Sequence, residues 1–204
     1  MSDKGLLIIL SGPSGCGKDT VINELMKRDR NVVVSISSTT RAKRENEIDG
    51  VNYNFLTKSE FEELISNDKV LEYAEYNGCY YGTPIGPIDK MLSEGKDVIL
   101  KIEVQGAQKV MKKLGDEVVS IFLLPPSFEE LERRLRGRNS DTQEQIDSRL
   151  KIACDELKRA PYYDYVVVND DLSVAVEDIL SVFKAEKRKT KRNTKVIREV
   201  CKNA

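Results

Sequence analysis

The chain has 204 residues, 40% hydrophobic and 33% charged, with a formal net charge of −1. That length suits one core with one or two inserted flaps, and the near-zero charge does not favour nucleic acid as a partner. Histidine is absent and the four cysteines (Cys16, Cys79, Cys154, Cys201) are widely spaced, which argues against a zinc site, a disulfide framework and Ser-His or Cys-His nucleophiles. No apolar run approaches the ~20 residues of a membrane span. The start, MSDKGLL, lacks the pattern of a secretory leader, so a cytoplasmic protein with reduced thiols is expected.

The first predicted element is a strand, Leu6-Leu7-Ile8-Ile9-Leu10, apolar enough to be buried on both faces. A loop of Gly12, Pro13, Ser14, Gly15, Cys16, Gly17 and Lys18 follows, then the helix-compatible run Val21 to Met26. Strand, glycine-rich turn and helix in that order, with Gly12 and Gly17-Lys18 at this spacing, form the phosphate-binding loop pattern. Glycines let backbone N–H groups turn inward, and the helix N-terminus adds partial positive charge. Lys18 supplies a point charge at the terminal phosphates. Asp19 stands where Ser or Thr usually holds magnesium. Its carboxylate either holds the ion, directly or through water, or points to solvent and leaves the metal to substrate oxygens. Thr20 is a further candidate phosphate contact. Cys16 reads as a small residue filling a variable loop position.

A second strand is predicted over Val32 to Ser37, followed by the polar stretch SSTTRAKRENEIDGVNY. Arginine offers a planar fork that matches phosphate oxygens, so this stretch is either a phosphate grip or a solvated loop. Tyr53 to Leu56 predicts a short strand, and Thr57 with Glu60 a capping box before a short helix. Two strand-like runs around Asn77-Gly78 predict a hairpin. Residues 37 to about 83 thus read as a small β-rich insertion.

Pro87 and Gly95 suit the start and stop of a helix. A core strand is predicted over Asp97 to Glu103, placing Lys101 and Glu103 on one face. Lys101 then pairs with Glu103 or Asp19, or reaches a phosphate. Gln105 to Lys113 reads as helix and Val118 to Leu124 as a buried strand stopped by Pro125-Pro126. Ser127 with Glu130 caps the next helix, where pairs Glu129–Arg133 and Glu130–Arg134 are expected. The arginines around the bend Gly137-Arg138-Asn139-Ser140 and a long helix from Thr142 carrying Arg149 suggest a lid over phosphates. Tyr165 to Val168 predicts the last core strand, with Asn169-Asp170-Asp171 as a turn before a helix from Ser173. The basic C-terminus, nine Lys or Arg and two Glu from Lys184 onward, reads as a frayed, solvated end, ahead of a contact for RNA or an acidic surface.

The blocks GPSGCGK, SISSTTRAKR, DGVNYNF, EYAEYNGCYYGTP, VQGA, LPPSFEELERRLRGR and YVVVNDD, in this order, resemble guanylate kinase from about Leu6 to Phe183. The resemblance implies an α/β fold: a P-loop NTPase-type parallel sheet flanked by helices, with a β-rich nucleotide-monophosphate-binding insertion and a helical lid. Residues 1–36, 84–126 and 156–190 would form the core, 37–83 the insertion, 127–155 the lid and 191–204 a basic tail. The implied partners are ATP and GMP, with dGMP as a further acceptor, the implied cofactor is Mg2+, and the product is GDP. By motif position, Gly12 to Thr20 and Asn169 would bind ATP, and Lys18, Arg134, Arg138 and Arg149 would stabilise the transferring phosphoryl group. Arg41, Arg44, Tyr53 and Tyr81 would hold the GMP phosphate, while Ser37, Glu72 and Thr83 would read guanine, with Glu103 beside them. Asp19 and Glu103 are the candidate metal ligands. Lys101 departs from the family, which often has an acid there. Two rivals are a kinase for another nucleoside monophosphate and a non-catalytic guanylate-kinase-like interaction module. Nothing in the pattern selects between a monomer and a homo-oligomer.

Overall fold

The computed structural model describes residues 4–137 and 142–202. The chain runs through β1 (Leu7–Ser11), α1 (Lys18–Arg28), β2 (Val32–Val34), β3 (Ser38–Thr39), β4 (Asn54–Phe55) and α2 (Lys58–Ser66). It continues through β5 (Val70–Tyr76), β6 (Cys79–Pro84), α3 (Ile85–Ser93), β7 (Asp97–Leu100) and α4 (Val104–Leu114). The last part holds β8 (Val118–Leu124), α5 (Phe128–Arg136), α6 (Gln143–Leu157), β9 (Tyr165–Val168), α7 (Leu172–Arg188) and α8 (Thr194–Lys202).

β1 is central in a five-stranded sheet ordered β2-β7-β1-β8-β9, and every pairing in it is parallel. Alternation along β1 feeds two cores. Leu6, Ile8 and Leu10 pack with Val21 and Leu25 of α1 and Ala175, Ile179 and Phe183 of α7. Leu7 and Ile9 face the other layer with Ile88 of α3, Val110 of α4 and Phe122. Helices on both faces and strands all pointing one way leave the carboxyl edge of the sheet as the place for a ligand.

A second sheet, ordered β4-β3-β6-β5, is built from residues 38–84. The β5–β6 hairpin turns at Asn77 (φ 50°) and Gly78 (φ 72°), the paired positive angles of a two-residue hairpin turn. The Thr57–Glu60 capping box forms at the start of α2. A third, small core of Leu131, Leu135 and Ala153 joins α5 to α6.

Three boundaries differ from expectation. β2 stops at Val34 because the chain then leaves the core sheet, and Ser38–Thr39 pair in the second one. β7 stops at Leu100; Glu103 is the N-cap of α4, its carbonyl accepting from the Ala107 N–H, so Lys101 and Glu103 do not share a strand face. The C-terminus is not frayed as far as Arg192. Lys187 binds the buried Asp97, and Lys189 binds the buried Glu186, which also accepts from the Tyr165 hydroxyl.

Candidate active site

The loop between β1 and α1 closes on itself and on its neighbours. A Cβ on Gly12 would lie 2.3 Å from the Leu123 carbonyl oxygen, so only glycine lets the loop pass β8 this closely. Gly17 is the left-handed N-cap of α1 (φ 96°), and a Cβ there would lie 2.4 Å from Nδ2 of Asn169. Asn169, at the end of β9, donates that amide to the Cys16 carbonyl (2.8 Å). Lys18 donates to the carbonyls of Gly12 (2.6 Å) and Pro13 (3.2 Å), which holds its ammonium over the loop. Cys16 is fully buried, and burial raises its thiol pKa: it is filler, as its position suggested. Asp19 and Thr20 lie exposed on the first turn of α1, and Lys101 reaches Oδ1 of Asp19 at 2.8 Å.

The second sheet assembles a separate cluster. Pairing of β3 with β4 and β6 brings Tyr53 and Tyr81 into edge contact, their ring centroids 6.1 Å apart. The Arg41 guanidinium lies 5.8 Å from the Tyr53 centroid. Its fork is occupied by Glu47, with nitrogen–oxygen distances of 2.7 and 3.0 Å. Glu47 also accepts from the Arg44 N–H, and bonding to Arg41 and then to Arg44 lowers its pKa. The sequence reading missed Glu47, because nothing in a polar loop marks which of its acids folds back onto an arginine. Arg44 itself is exposed.

The antiparallel pairing of β5 with β6, irregular between Val70 and Tyr73, brings Glu72 beside Thr83, whose hydroxyl donates to Oε1 of Glu72 at 2.8 Å. Burial raises the Glu72 pKa, opposed by the Thr83 bond and the Lys109 charge. Oε2 lies against α4, since a Cβ on Gly106 would come within 2.9 Å of it. Ser37 is half-buried beside β3, and Glu103 is exposed at the start of α4.

On the α5–α6 side, Arg134 of α5 binds Glu130 (2.7 Å) and donates to the Asn169 carbonyl (3.0 Å). Arg133 bonds Glu130 and not Glu129, whose carboxylate is taken at the helix start by the Ser127 hydroxyl. Arg149 is half-buried on α6, and Arg138 lies outside the described residues. Glu156 of α6 is a second residue the sequence reading missed. Its pKa is raised by burial and by Glu103, and lowered by Lys18 and the Ser14 N–H, so a carboxyl of α6 lies beside the phosphate loop.

A family model described as guanylate kinase matches residues 4–186. The chain belongs to the guanylate kinase family. It is similar to the guanylate kinase of Carboxydothermus hydrogenoformans, 49% identical over 197 residues that cover 96% of each chain. The guanylate kinase of Bacillus anthracis is 50% identical over 200 residues, covering 98% of this chain and 97% of that one. Among solved structures, guanylate kinase from Anaplasma phagocytophilum superposes with a TM-score of 0.73 at 39% identity, covering 94% of this chain and 90% of that chain. Among the described residues, no helix is long and apolar enough to cross a membrane.

Proposed function

We propose that the chain transfers the γ-phosphoryl group of ATP to GMP, giving ADP and GDP, with dGMP as a further acceptor. The backbone N–H groups of Gly12 to Thr20, with the Lys18 ammonium, cradle the donor phosphates, and α1 turns its positive end toward them. Arg41, Arg44, Tyr53 and Tyr81 hold the GMP phosphate, so GMP takes the place of the Glu47 carboxylate in the Arg41 fork. Glu72 reads guanine. That base offers N1–H and an exocyclic amine side by side, and an ionised carboxylate accepts from both. Adenine presents a lone pair at N1 and would leave the carboxylate facing it. Thr83 supports this reading because it orients Glu72, while Ser37 and Glu103 complete the pocket wall.

The nucleophile is a GMP phosphate oxygen. A phosphate monoester loses its second proton at a pKa of about 6, so no general base is needed, in keeping with a chain that has no histidine. Catalysis is then positioning plus charge stabilisation by Lys18, Arg134, Arg138 and Arg149. Asn169 keeps the donor loop in shape and bounds the adenine side of the site.

Among the described residues, the side chains do not group into a protein-held magnesium site. Among the described residues no group of three or more Asp, Glu, Cys or His is placed to hold a metal, and the Asp19 carboxylate is ion-paired with Lys101. Magnesium is therefore read as arriving on ATP, where it would neutralise phosphate charge. The second sheet is read as an acceptor arm, α5 with α6 as the lid, and the cytoplasm, where purine nucleotides turn over, as the working compartment.

The observation that carries the assignment of substrate is the half-buried Glu72 bonded to Thr83. A steady-state assay with ATP, magnesium and GMP, AMP, CMP or UMP tests it. GMP should be preferred by orders of magnitude. Equal use of AMP would overturn the guanine assignment, and absence of GDP would overturn the reaction.

A further inference from the structure

We propose that Lys101 is a second phosphate-facing cation of the transfer site, and that Asp19 is its resting anchor rather than a magnesium ligand. This rests on the donor-site reading above. Residue 19 follows the loop lysine on the first turn of α1, where phosphate loops place a hydroxyl on magnesium. Lys101 follows the last residue of β7, and β7 lies beside β1 in parallel with Ile9 opposite Leu100. Both side chains therefore emerge at the same edge of the sheet, next to the phosphate loop.

There the Lys101 ammonium sits 2.8 Å from Asp19 Oδ1. A divalent ion bound to that carboxylate would face an ammonium within a few ångströms and be repelled. The two side chains remain 48% and 74% exposed, and open pairs of this kind are weak. Lysine is a point charge on a long flexible stem. Lys101 can therefore exchange a single carboxylate for the more highly charged terminal phosphate of ATP. In this chain the cation beside the loop is carried on a side chain.

The two members of an ordinary structural ion pair would fail in the same direction when removed. Here they should fail in opposite directions. Binding of a non-hydrolysable ATP analogue and of ADP is measured by calorimetry on the full chain. Lys101→Met should weaken the analogue about five- to twentyfold and ADP less than twofold, with Lys101→Arg restoring most of the loss. Asp19→Asn should leave the analogue unchanged or bound more tightly. It should also leave Mn2+ affinity of the nucleotide complex, read by electron paramagnetic resonance, within about twofold. Equal weakening by both variants, wild-type binding by Lys101→Met, or a tenfold loss of Mn2+ affinity in Asp19→Asn would each overturn the proposal. GDP formation by the wild type is followed in parallel: its absence, with analogue binding intact, would overturn the reaction and not the role of Lys101.

Discussion

At the scale of single residues, Glu72 carries opposing demands. The burial on which the proposed base discrimination rests makes its charge expensive, and its pKa is raised from 4.5. Glu72→Gln should therefore do two things. It should narrow the GMP-to-AMP ratio of kcat/KM by about 5- to 150-fold, the equivalent of ~1–3 kcal/mol for a lost buried polar partner. It should also raise stability at pH values above the raised folded pKa, where wild-type Glu72 carries its charge. A raised carboxyl pKa means that the folded state holds the proton more tightly than the unfolded chain does. That contribution is complete below 4.5 and is lost as pH rises through the folded value. The stability gain of the glutamine variant should therefore vanish near pH 4, as read by melting curves across pH. A gain independent of pH would remove Glu72 as its source. Arg41 makes a simpler test. Arg41→Ala deletes the fork that now holds Glu47, and charge-assisted bonds contribute ~1.5–3 kcal/mol. The KM for GMP should rise about ten- to a hundredfold with little change for ATP; the reverse pattern would move Arg41 out of the acceptor site.

At the scale of elements, the phosphate loop is one mechanical unit with β9 and α5. Asn169 clamps Cys16, its carbonyl takes Arg134, and Leu131 and Leu135 lie against Gly15. Gly17→Ala attacks this unit twice, through a positive φ that costs ~1–3 kcal/mol and through the contact with Asn169 at 2.4 Å. ATP affinity should fall at least tenfold while the fold persists. Adding Asn169→Ala should not make it worse in proportion, because the steric part has already been spent; strict additivity in a double-mutant cycle would show that the clamp is not shared. The same elements show what the sequence made legible. β1 and β8 stood out because buried parallel strands are unbroken apolar runs, β9 because its Tyr-Val-Val-Val run favours strand although Val166 and Val168 lie exposed at the sheet edge, and the hairpin because Asn77-Gly78 supplies two positive φ angles. The ends of β2 and β7 did not, since Ser35 and Lys101 carry no stop signal and the chain there leaves the sheet for the second sheet and for α4. The pair of Asp19 and Lys101 joins residues 82 apart, so only parallel register brings it together.

At the scale of the whole molecule, the basic C-terminus ties the far edge of the core together. Asp97 begins β7, is fully buried, and accepts from the Leu6 N–H at the start of β1 as well as from Lys187 of α7. One carboxylate thus joins two central strands to the last long helix. Lys187→Met would leave Asp97 with only the backbone donor. The cost should be ~1–3 kcal/mol, below that of a fully buried pair because Lys187 is 42% exposed. For a domain of this size that lowers Tm by about 3–10 °C. α8 is the contrasting case: it buries no residue, and its Val196, Ile197 and Val200 are exposed. Deleting the chain from Thr194 onward should therefore shift Tm by no more than ~2 °C and leave kcat unchanged. Scanning calorimetry on the two proteins decides the matter. If the truncation proved the more damaging, α8 and not the Asp97 junction would be what secures the C-terminus.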